Sequence, residues 1–172
     1  MALHEKTPIE QRILSVLVEN QPGVLAHVVG LFSARGFNID SLAVGETEDP
    51  TVSRMTIVVA VDEKIFEQIK KQLNKLIVTI KVQDLTAEDF ADRELMLVKI
   101  KNTETAKEKL KELSNQYRLF TIDENPKTIT LESAETRENT KKLFELFKQT
   151  GILEIARTGT VALSKKPPKD EF

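Results

Sequence analysis

The first half of the chain alternates between two spacings of apolar residues, the period of two that is typical of a strand and the spacing of three to four that is typical of a helix. These spacings predict, in order, a strand at 12–19, a helix that begins at Val24 and closes on Gly36, strands at 38–45 and 55–61, a helix at 65–76 and a strand at 78–82. The order is βαββαβ, which favours an antiparallel sheet with two helices on one face, the ferredoxin-like plan.

The second half repeats this order of elements without obvious sequence identity to the first half. Its apolar spacings predict a strand from Leu95, a helix that ends near Tyr117, a hairpin around Glu124-Asn125-Pro126, a helix that stops at Gly151 and a last strand through ILEIARTGTVALS. We therefore predict an α+β protein that consists of two tandem ferredoxin-like βαββαβ domains.

A polar, acidic stretch between the two halves sets the expected domain boundaries. We predict an N-terminal extension at 1–11, a first domain at 12–85, a linker at 86–94, a second domain at 95–164 and a disordered tail at 165–172. Each domain is long enough to bury a core of its own.

Composition excludes several functional classes. The 172 residues are 40% hydrophobic and 30% charged with a net charge of −2, so the chain has no general electrostatic attraction for nucleic acid. It contains no Trp and one Tyr, which removes the aromatic platform of an RNA-binding sheet, and no cysteine, which removes disulfides and thiol chemistry. No apolar run approaches the roughly 20 residues that cross a bilayer, and the N-terminus lacks a signal-peptide core. We expect a cytoplasmic protein that binds neither nucleic acid nor a membrane.

The residue inventory also argues against catalysis by this chain. His4 and His27 are the only histidines, and neither stands in a cluster that indicates metal binding or acid-base chemistry. The sequence has no glycine-rich phosphate loop and no nucleophile elbow. We therefore expect no catalytic residue, no metal site and no cofactor in this chain.

The segment NQPGVL, which follows the first predicted strand, is the candidate for ligand binding. Pro22 lacks an amide hydrogen and Gly23 lacks a side chain, so the amides that open the next helix are accessible. Such amides, together with the helix dipole, can hold a carboxylate without a positive side chain. Two plainer interpretations stay open, since Gly23 can serve only to make a tight turn and Asn20 can serve only to cap the helix. The corresponding turn of the second half, KNTETAKEK, has no Pro-Gly and is expected to bind in another way or not at all.

The predicted second strand, FNIDSLAVG, is expected to lie at an edge of the first sheet. It contains no Lys and no Pro, and its one charge is Asp40, although exposed edges are usually protected by such residues. We therefore predict that it pairs with a second copy of itself across a twofold axis, which makes the protein a homodimer. Pairing would bring Asn38 of one chain near the Pro22-Gly23 turn of the other. A plainer role for Asn38 is to accommodate an unusual backbone angle after Gly36.

Several segments together resemble a known family. The N-terminal half resembles an ACT domain, the amino-acid-binding regulatory module of many biosynthetic enzymes. More narrowly, the chain resembles the acetohydroxyacid (acetolactate) synthase small subunit, in an ordered set of segments from about Arg12 to Lys165: RILSVLVENQPGVLAHVVGLFSARGFNIDSL, TEDPTVSRMTIVV, ELMLVKI and EIARTGTVALSK.

The resemblance implies a regulatory subunit that dimerises through its ACT domain and binds a separate catalytic subunit. The catalytic subunit would carry thiamine diphosphate, Mg²⁺ and FAD. The small subunit would raise the activity of that partner and confer feedback inhibition by valine in branched-chain amino-acid biosynthesis. The alternative is a free-standing ACT-domain amino-acid sensor, for which the second domain would be unnecessary.

The resemblance also implies the positions that bind the effector. They are Asn20, Gly23, Val24 and Leu25 of one chain together with Asn38 and Ile39 of its neighbour. In this arrangement the amides from Gly23 to Leu25 would take the carboxylate, the two asparagines would bond the polar end, and Ile39 would line a pocket for an isopropyl group. The chain has Ala26 where some family members carry Ser, which leaves recognition by amides intact.

Two further features are candidates for contact with a catalytic partner. Glu46, Glu48 and Asp49 form an acidic loop beside Arg54, which is most often simply a solvated hairpin tip. Arg157 precedes Gly159 in the last predicted strand, where the glycine indicates a bulge or a close backbone approach.

Overall fold

The computed structural model describes residues 8–167, so His4, most of the predicted N-terminal extension and residues 168–172 of the predicted tail lie outside it. The chain divides into two compact units. The first unit runs up to Ala91 and resumes at Ala162, and the second unit is Asp92–Val161. No helix within residues 8–167 is long and apolar enough to span a membrane.

The first unit contains a four-stranded antiparallel sheet with the element order βαββαβ. Its elements are β1 (Glu10–Glu19), α1 (Val24–Ser33), β2 (Ser41–Glu46), β3 (Val52–Val61), α2 (Glu63–Leu73) and β4 (Thr79–Asp84). The strands are ordered β2-β3-β1-β4, so β2 and β4 form the two edges. This arrangement confirms the ferredoxin-like fold and the edge position of the second strand.

Local sequence explains where both helices of the first unit begin and where α1 ends. Asp62 caps α2, because its carboxylate accepts a 2.8 Å hydrogen bond from the amide of Ile65. The cap of α1 is Gly23, which has no side chain and adopts a left-handed φ of 88°. After α1, Gly36 has a φ of 67° and the amide of Phe37 bonds back to the carbonyl of Phe32 at 3.1 Å, which closes the helix as a left-handed cap does.

Strand β1 is buried on both of its faces. The helix-facing side chains, among them Leu14 and Val16, pack with Phe32 and Phe66 in the main core of the unit. On the opposite face Ile13 is also buried, in a cluster that contains Val58, Leu85, Phe90 and Ala162. Burying each such aliphatic side chain contributes about 1.5–3 kcal/mol, so both faces add to the stability of the sheet.

The second unit repeats the fold. Its elements are β5 (Phe90–Lys101, whose first two residues belong to the first unit), α3 (Glu104–Ser114), β6 (Leu119–Glu124), β7 (Thr128–Glu135), α4 (Arg137–Thr150) and β8 (Ile152–Arg157). A further strand, β9 (Val161–Ser164), begins at the last residue of the second unit and continues in the segment that returns to the first unit. The order of the strands is β6-β7-β5-β8, and β9 also pairs with β5. Together with the first unit this confirms two tandem ferredoxin-like domains.

Boundaries differ from the sequence prediction in three places. The predicted linker at 86–94 is largely strand, because β5 begins at Phe90 and its polar residues are used within the fold. Asp92, for example, accepts a 2.7 Å bond from the amide of Arg137. The predicted last strand is broken between β8 and β9, where Gly159 has a φ of 78°. The segment from Ala162 belongs to the first unit rather than to the second.

Candidate ligand-binding site

The start of α1 presents backbone donors that the protein does not use. The amide of Val24 makes a long 3.3 Å bond to the carbonyl of Gln21, and the amide of His27 makes the first helical bond, 3.0 Å to the carbonyl of Gly23. Within residues 8–167 the amides of Leu25 and Ala26 donate to no acceptor. These two amides lie in the first helical turn, where the helix dipole favours an anion.

Gly23 is required by its backbone angle rather than by crowding. Its φ of 88° lies in the left-handed region that side chains other than those of Asn and Asp rarely tolerate. A β-carbon at this position would have no neighbour within 4 Å. The turn is therefore open to an approaching molecule, and both proposed roles of Gly23, in the turn and in ligand access, are compatible with its geometry.

Asn20 does not cap α1, which removes the plainer interpretation of this residue. Its side-chain amide Nδ2 donates instead to the hairpin between β2 and β3, at 2.9 Å to the carbonyl oxygen of Pro50 and at 3.0 Å to Oε1 of Glu46. Its backbone amide donates to the carbonyl oxygen of Thr51 at 2.7 Å. Since the carbonyl of Pro50 can only accept, the orientation of the Asn20 amide is fixed, and the oxygen Oδ1 remains as the acceptor.

Val24 and Leu25 contribute differently to the turn. The side chain of Val24 is only 4% exposed and belongs to the core, so this residue can offer a ligand its backbone alone. The side chain of Leu25 is 45% exposed and can contact a ligand directly. No acidic side chain lies in the first turn of α1 and no basic side chain lies in its last turn. The helix itself therefore places no carboxylate beside the open amides.

Asn38 and Ile39 lie at the far end of α1 from Gly23. The helix has ten residues, which span about 15 Å at 1.5 Å per residue, so one chain does not bring the six predicted residues together. Asn38 is exposed and donates to Oδ1 of Asp40 at 3.1 Å, and Ile39 is half-buried against the core. No residue other than glycine within 8–167 has a positive φ, so the interpretation of Asn38 as a residue with an unusual backbone angle is wrong.

The edge strand β2 is paired on one side only, with β3. Val44 near its middle is 45% exposed, and Glu46 at its end is the one charged residue within its bounds. Pairing of β2 with a second copy stays a prediction.

The acidic hairpin is held by its own bonds. Oδ1 of Asp49 accepts from the hydroxyl of Thr51 at 2.7 Å and from its amide at 2.8 Å, and these two bonds lower the pKa of Asp49. Arg54 turns away from the hairpin tip and donates to the hydroxyl of Ser15 at 2.8 Å. The hypothesis that Glu48 and Asp49 contact a catalytic partner stays a prediction, as does a partner contact at Arg157, whose guanidinium lies 3.7 Å from the buried Glu94.

The second unit contains a copy of the Asn20 arrangement that sequence reasoning missed. Asn102, the residue after β5, donates through Nδ2 to the carbonyl oxygen of Asn125 at 2.7 Å and to Oε1 of Glu124 at 3.4 Å. Its backbone amide bonds the carbonyl of Lys127 at 2.9 Å. Glu46 and Glu124 each end the edge strand of their sheet, so the two sites correspond in their asparagine and their glutamate, although the hairpins differ in length. The signal in the sequence is an Asn directly after the first strand of each half.

The two copies differ in what surrounds the glutamate. In the second unit the side chain of Thr103 caps α3 by accepting from the amide of Ala106 at 3.1 Å, so the helix start is partly satisfied. The ammonium of Lys107 lies 2.9 Å from Oε1 of Glu124, which lowers the pKa of Glu124 and raises that of Lys107. In the first unit no cation within residues 8–167 pairs with Glu46, and Oε2 of Glu46 accepts no hydrogen bond there.

A groove of about 530 Å³ lies between α3 and β6 in the second unit. Its lining residues are Lys107, Leu110, Lys111, Ser114, Asn115, Thr121, Glu124 and Ile129. Lys107 and Glu124, which pair at 2.9 Å, both lie in its wall. Within residues 8–167 no group of three or more acidic, histidine or cysteine side chains is arranged to hold a metal ion.

Comparison with known proteins matches both halves of the chain to one family. Residues 14–81 match the family model described as an AHAS small subunit-like ACT domain, and residues 93–166 match the model described as the small subunit of acetolactate synthase. The chain is 46% identical over 154 residues to the acetolactate synthase small subunit of Mycolicibacterium smegmatis, which covers 90% of this chain and 91% of the relative.

Two further relatives support the same assignment. The chain is 44% identical over 156 residues to the acetolactate synthase isozyme 3 small subunit of Salmonella typhimurium, covering 90% of this chain and 96% of the relative. The crystal structure of the acetolactate synthase small subunit from Thermotoga maritima superimposes with a TM-score of 0.81 at 37% identity, covering 93% of this chain and 100% of that one. The resemblance inferred from the sequence is therefore confirmed.

Proposed function

Because the chain belongs to the acetolactate synthase small-subunit family, we propose that it is a regulatory subunit that binds and activates a separate catalytic subunit and makes it sensitive to valine. The catalytic partner, rather than this chain, would carry thiamine diphosphate, Mg²⁺ and FAD. The process regulated would be the biosynthesis of valine, leucine and isoleucine, and the protein would act in the cytoplasm.

The observation that carries the proposal is the pair of unused amides at Leu25 and Ala26. A carboxylate of an amino acid would accept hydrogen bonds from them, with the helix dipole adding attraction. The left-handed Gly23 leaves space in front of these amides, and the exposed part of Leu25 would contact an aliphatic side chain. Charged hydrogen bonds of this kind contribute about 1.5–3 kcal/mol each.

A second copy of the chain would complete the site. If β2 pairs with β2 of another copy in antiparallel fashion, the start of the second strand comes beside the end of the first, which is the end that bears Glu46 and the α1 turn. Asn38 and Ile39 of the second copy would then face the open amides. This accounts for the separation of Asn38 from Gly23 within one chain, and it makes valine a ligand shared by two chains.

Sharing the ligand would couple valine to the activity of the partner. A ligand that binds only the paired form stabilises that form by mass action, by about 2.7 kcal/mol at a hundred times its dissociation constant. If the paired form with valine activates less well, the catalytic subunit responds without contacting valine itself. The second unit would supply surface for holding the catalytic subunit.

The test is an assay of the purified catalytic subunit with and without this chain. We expect the chain to have no synthase activity alone, to raise the activity of the catalytic subunit several-fold, and to lose much of that effect when valine is added. The variant Asn38→His is expected to keep the activation and to lose the valine response. Valine binding without any effect on, or association with, the catalytic subunit would instead identify a free-standing sensor.

A further inference from the structure

The duplicated Asn-Glu arrangement indicates what the first-unit copy binds. In the second unit Glu124, whose Oε1 accepts a 3.4 Å bond from Asn102, pairs with an ammonium group, that of Lys107, whose Nζ lies 2.9 Å from the same oxygen. In the first unit, Asn20 and Glu46 have the same mutual hydrogen bond, the same backbone bond to the hairpin and the same positions after and at the end of their strands. They pair with no cation within residues 8–167.

We propose that Asn20 and Glu46 form the subsite for the α-ammonium group of the amino-acid effector, with Glu46 as the residue that selects an amino acid over a carboxylic acid that lacks the amine. The assignment rests on the proposed function, since it places the second charge of the same ligand whose carboxylate meets the α1 amides. Oδ1 of Asn20 and Oε2 of Glu46 are the accepting atoms. These two accepting atoms lie where the turn meets the hairpin between β2 and β3, whereas the donating amides of Leu25 and Ala26 lie in the first turn of α1.

Charge distribution supports this division of the site. A zwitterion needs donors for its carboxylate and acceptors for its ammonium at neighbouring positions, and this turn offers both. A monocarboxylate would be held by the amides but repelled by Glu46. The selection is therefore expected to come from the glutamate, because the helix start and Leu25 treat the two ligands alike.

The orientation of the Asn20 side chain also matters for the proposed ammonium subsite. The carbonyl of Pro50 fixes which end of the side-chain amide faces the hairpin, and the bond to Glu46 uses the remaining amide hydrogen. The oxygen Oδ1 of Asn20 therefore points away from these partners. Loss of the carboxylate charge at Glu46 removes the attraction for an ammonium while a glutamine still accepts from Asn20. Glu46 also ends the edge strand β2, so ammonium binding takes place at the strand through which a second copy would pair.

Isothermal titration calorimetry with valine and with 3-methylbutanoate, which is valine without its amino group, tests the assignment. We expect the wild-type chain to bind valine at least tenfold more tightly than 3-methylbutanoate, because a charged hydrogen bond is lost with the amine. In Glu46→Gln the affinity for valine is expected to fall about tenfold, and that for 3-methylbutanoate to hold or rise, so the preference nearly vanishes. Glu124→Gln is the matched control, since it removes the same charge from the corresponding position of the second unit and is expected to leave both affinities unchanged.

The outcomes separate this inference from the proposed function. Wild-type binding of valine with an unchanged preference in Glu46→Gln would overturn the ammonium subsite and leave the effector site standing. An equal loss of affinity for both ligands would mean that Glu46 only supports the turn, which also overturns the assignment. Absence of valine binding by the wild-type chain would overturn both proposals together. Thermal unfolding of each variant checks that the fold is intact.

Discussion

Asn20 donates its side-chain amide to the carbonyl oxygen of Pro50 at 2.9 Å and thereby joins the turn before α1 to the hairpin between β2 and β3. The bond spans thirty residues of sequence and connects two exposed segments. It explains how a loop residue acquires a single orientation without burial. The same connection recurs between Asn102 and Asn125, which indicates that it belongs to the fold.

Replacing Asn20 with alanine is expected to affect both stability and binding. The variant loses two side-chain hydrogen bonds at an exposed site. We expect this loss to lower the free energy of unfolding by about 1–2 kcal/mol. The affinity for valine is expected to fall as well, since Oδ1 is removed. Asn102→Ala serves as the control, with a similar loss of stability in urea unfolding but an unchanged valine affinity by calorimetry. Equal effects of the two variants on valine binding would contradict a ligand contact by Asn20.

Gly23→Asp and Gly23→Asn separate charge from backbone strain. Both side chains tolerate the left-handed φ of 88° better than others do, and neither meets an atom within 4 Å at its β-carbon. Aspartate would place a negative charge where the carboxylate of the proposed effector would bind, so we expect it to abolish valine binding and feedback while sparing activation. The asparagine variant is expected to retain most of the affinity. If calorimetry finds the same valine affinity for the aspartate variant and the wild type, the site is not at this turn.

Val44→Lys tests the edge strand as the dimer interface. A lysine at this 45% exposed position on β2 would put two like charges close together across the twofold axis, so we expect a shift from dimer to monomer in sedimentation velocity. Ile80→Lys is the matched control, because Ile80 is 54% exposed and lies on β4 at the other edge of the same sheet. If only Ile80→Lys dissociates the dimer, the interface is at β4 and not at β2.

Glu135 gives the second unit an acid-sensitive bond. Burial raises its pKa. The hydrogen bonds from the side chain of Asn139 at 3.0 Å, from the amide of Arg118 at 2.8 Å and from the amide of Thr136, together with the charge of Arg118, outweigh burial and lower the pKa below the ordinary value of 4.5. A carboxylate with a depressed folded-state pKa stabilises the protein above its unfolded pKa, and this stabilisation is lost as the pH falls through the folded value.

The resulting prediction concerns the difference between wild type and Glu135→Gln. Wild type is expected to be the more stable at pH 7, and the gap in urea midpoints is expected to close as the pH falls from the ordinary value of 4.5 through the lowered pKa of Glu135. Glu132→Gln is the control, since the side chain of Glu132, on the same strand, accepts no hydrogen bond within residues 8–167, and this variant is expected to show no such gap. If the difference in urea midpoint between wild type and Glu135→Gln persists to pH 2, the stabilisation does not depend on the charge of Glu135.

The element order and the edge position of β2 were predictable because they depend on local periodicity and on the usual plan of such sheets. The helix start at Gly23 followed from Pro-Gly chemistry. The partner of Asn20 was not predictable, since a capping bond and a bond to a distant hairpin have the same local sequence. Only the folded chain decides between them.

The cover on the back of the first sheet was missed, although the sequence contained its signal. The run from Ile13 to Val18 is apolar at every position but Ser15, whereas a strand with one solvated face alternates. Six consecutive buried residues, Ile13 to Val18, confirm that both faces are covered. The segment around Ala162 packs on this face through contacts with residues more than a hundred positions away in sequence. No local sequence pattern near Ala162 predicts this packing.

That return of the chain has a consequence for biosynthesis of the protein itself. Ala162, which is 4% exposed, packs with Ile13 and Val58, so the N-terminal domain is completed by a segment that is synthesised after the whole of the second unit. Until then the apolar face of its sheet that contains Ile13 and Val58 would be exposed to chaperones and to neighbouring nascent chains. A premature stop codon before this segment would therefore harm the half of the molecule that was made first.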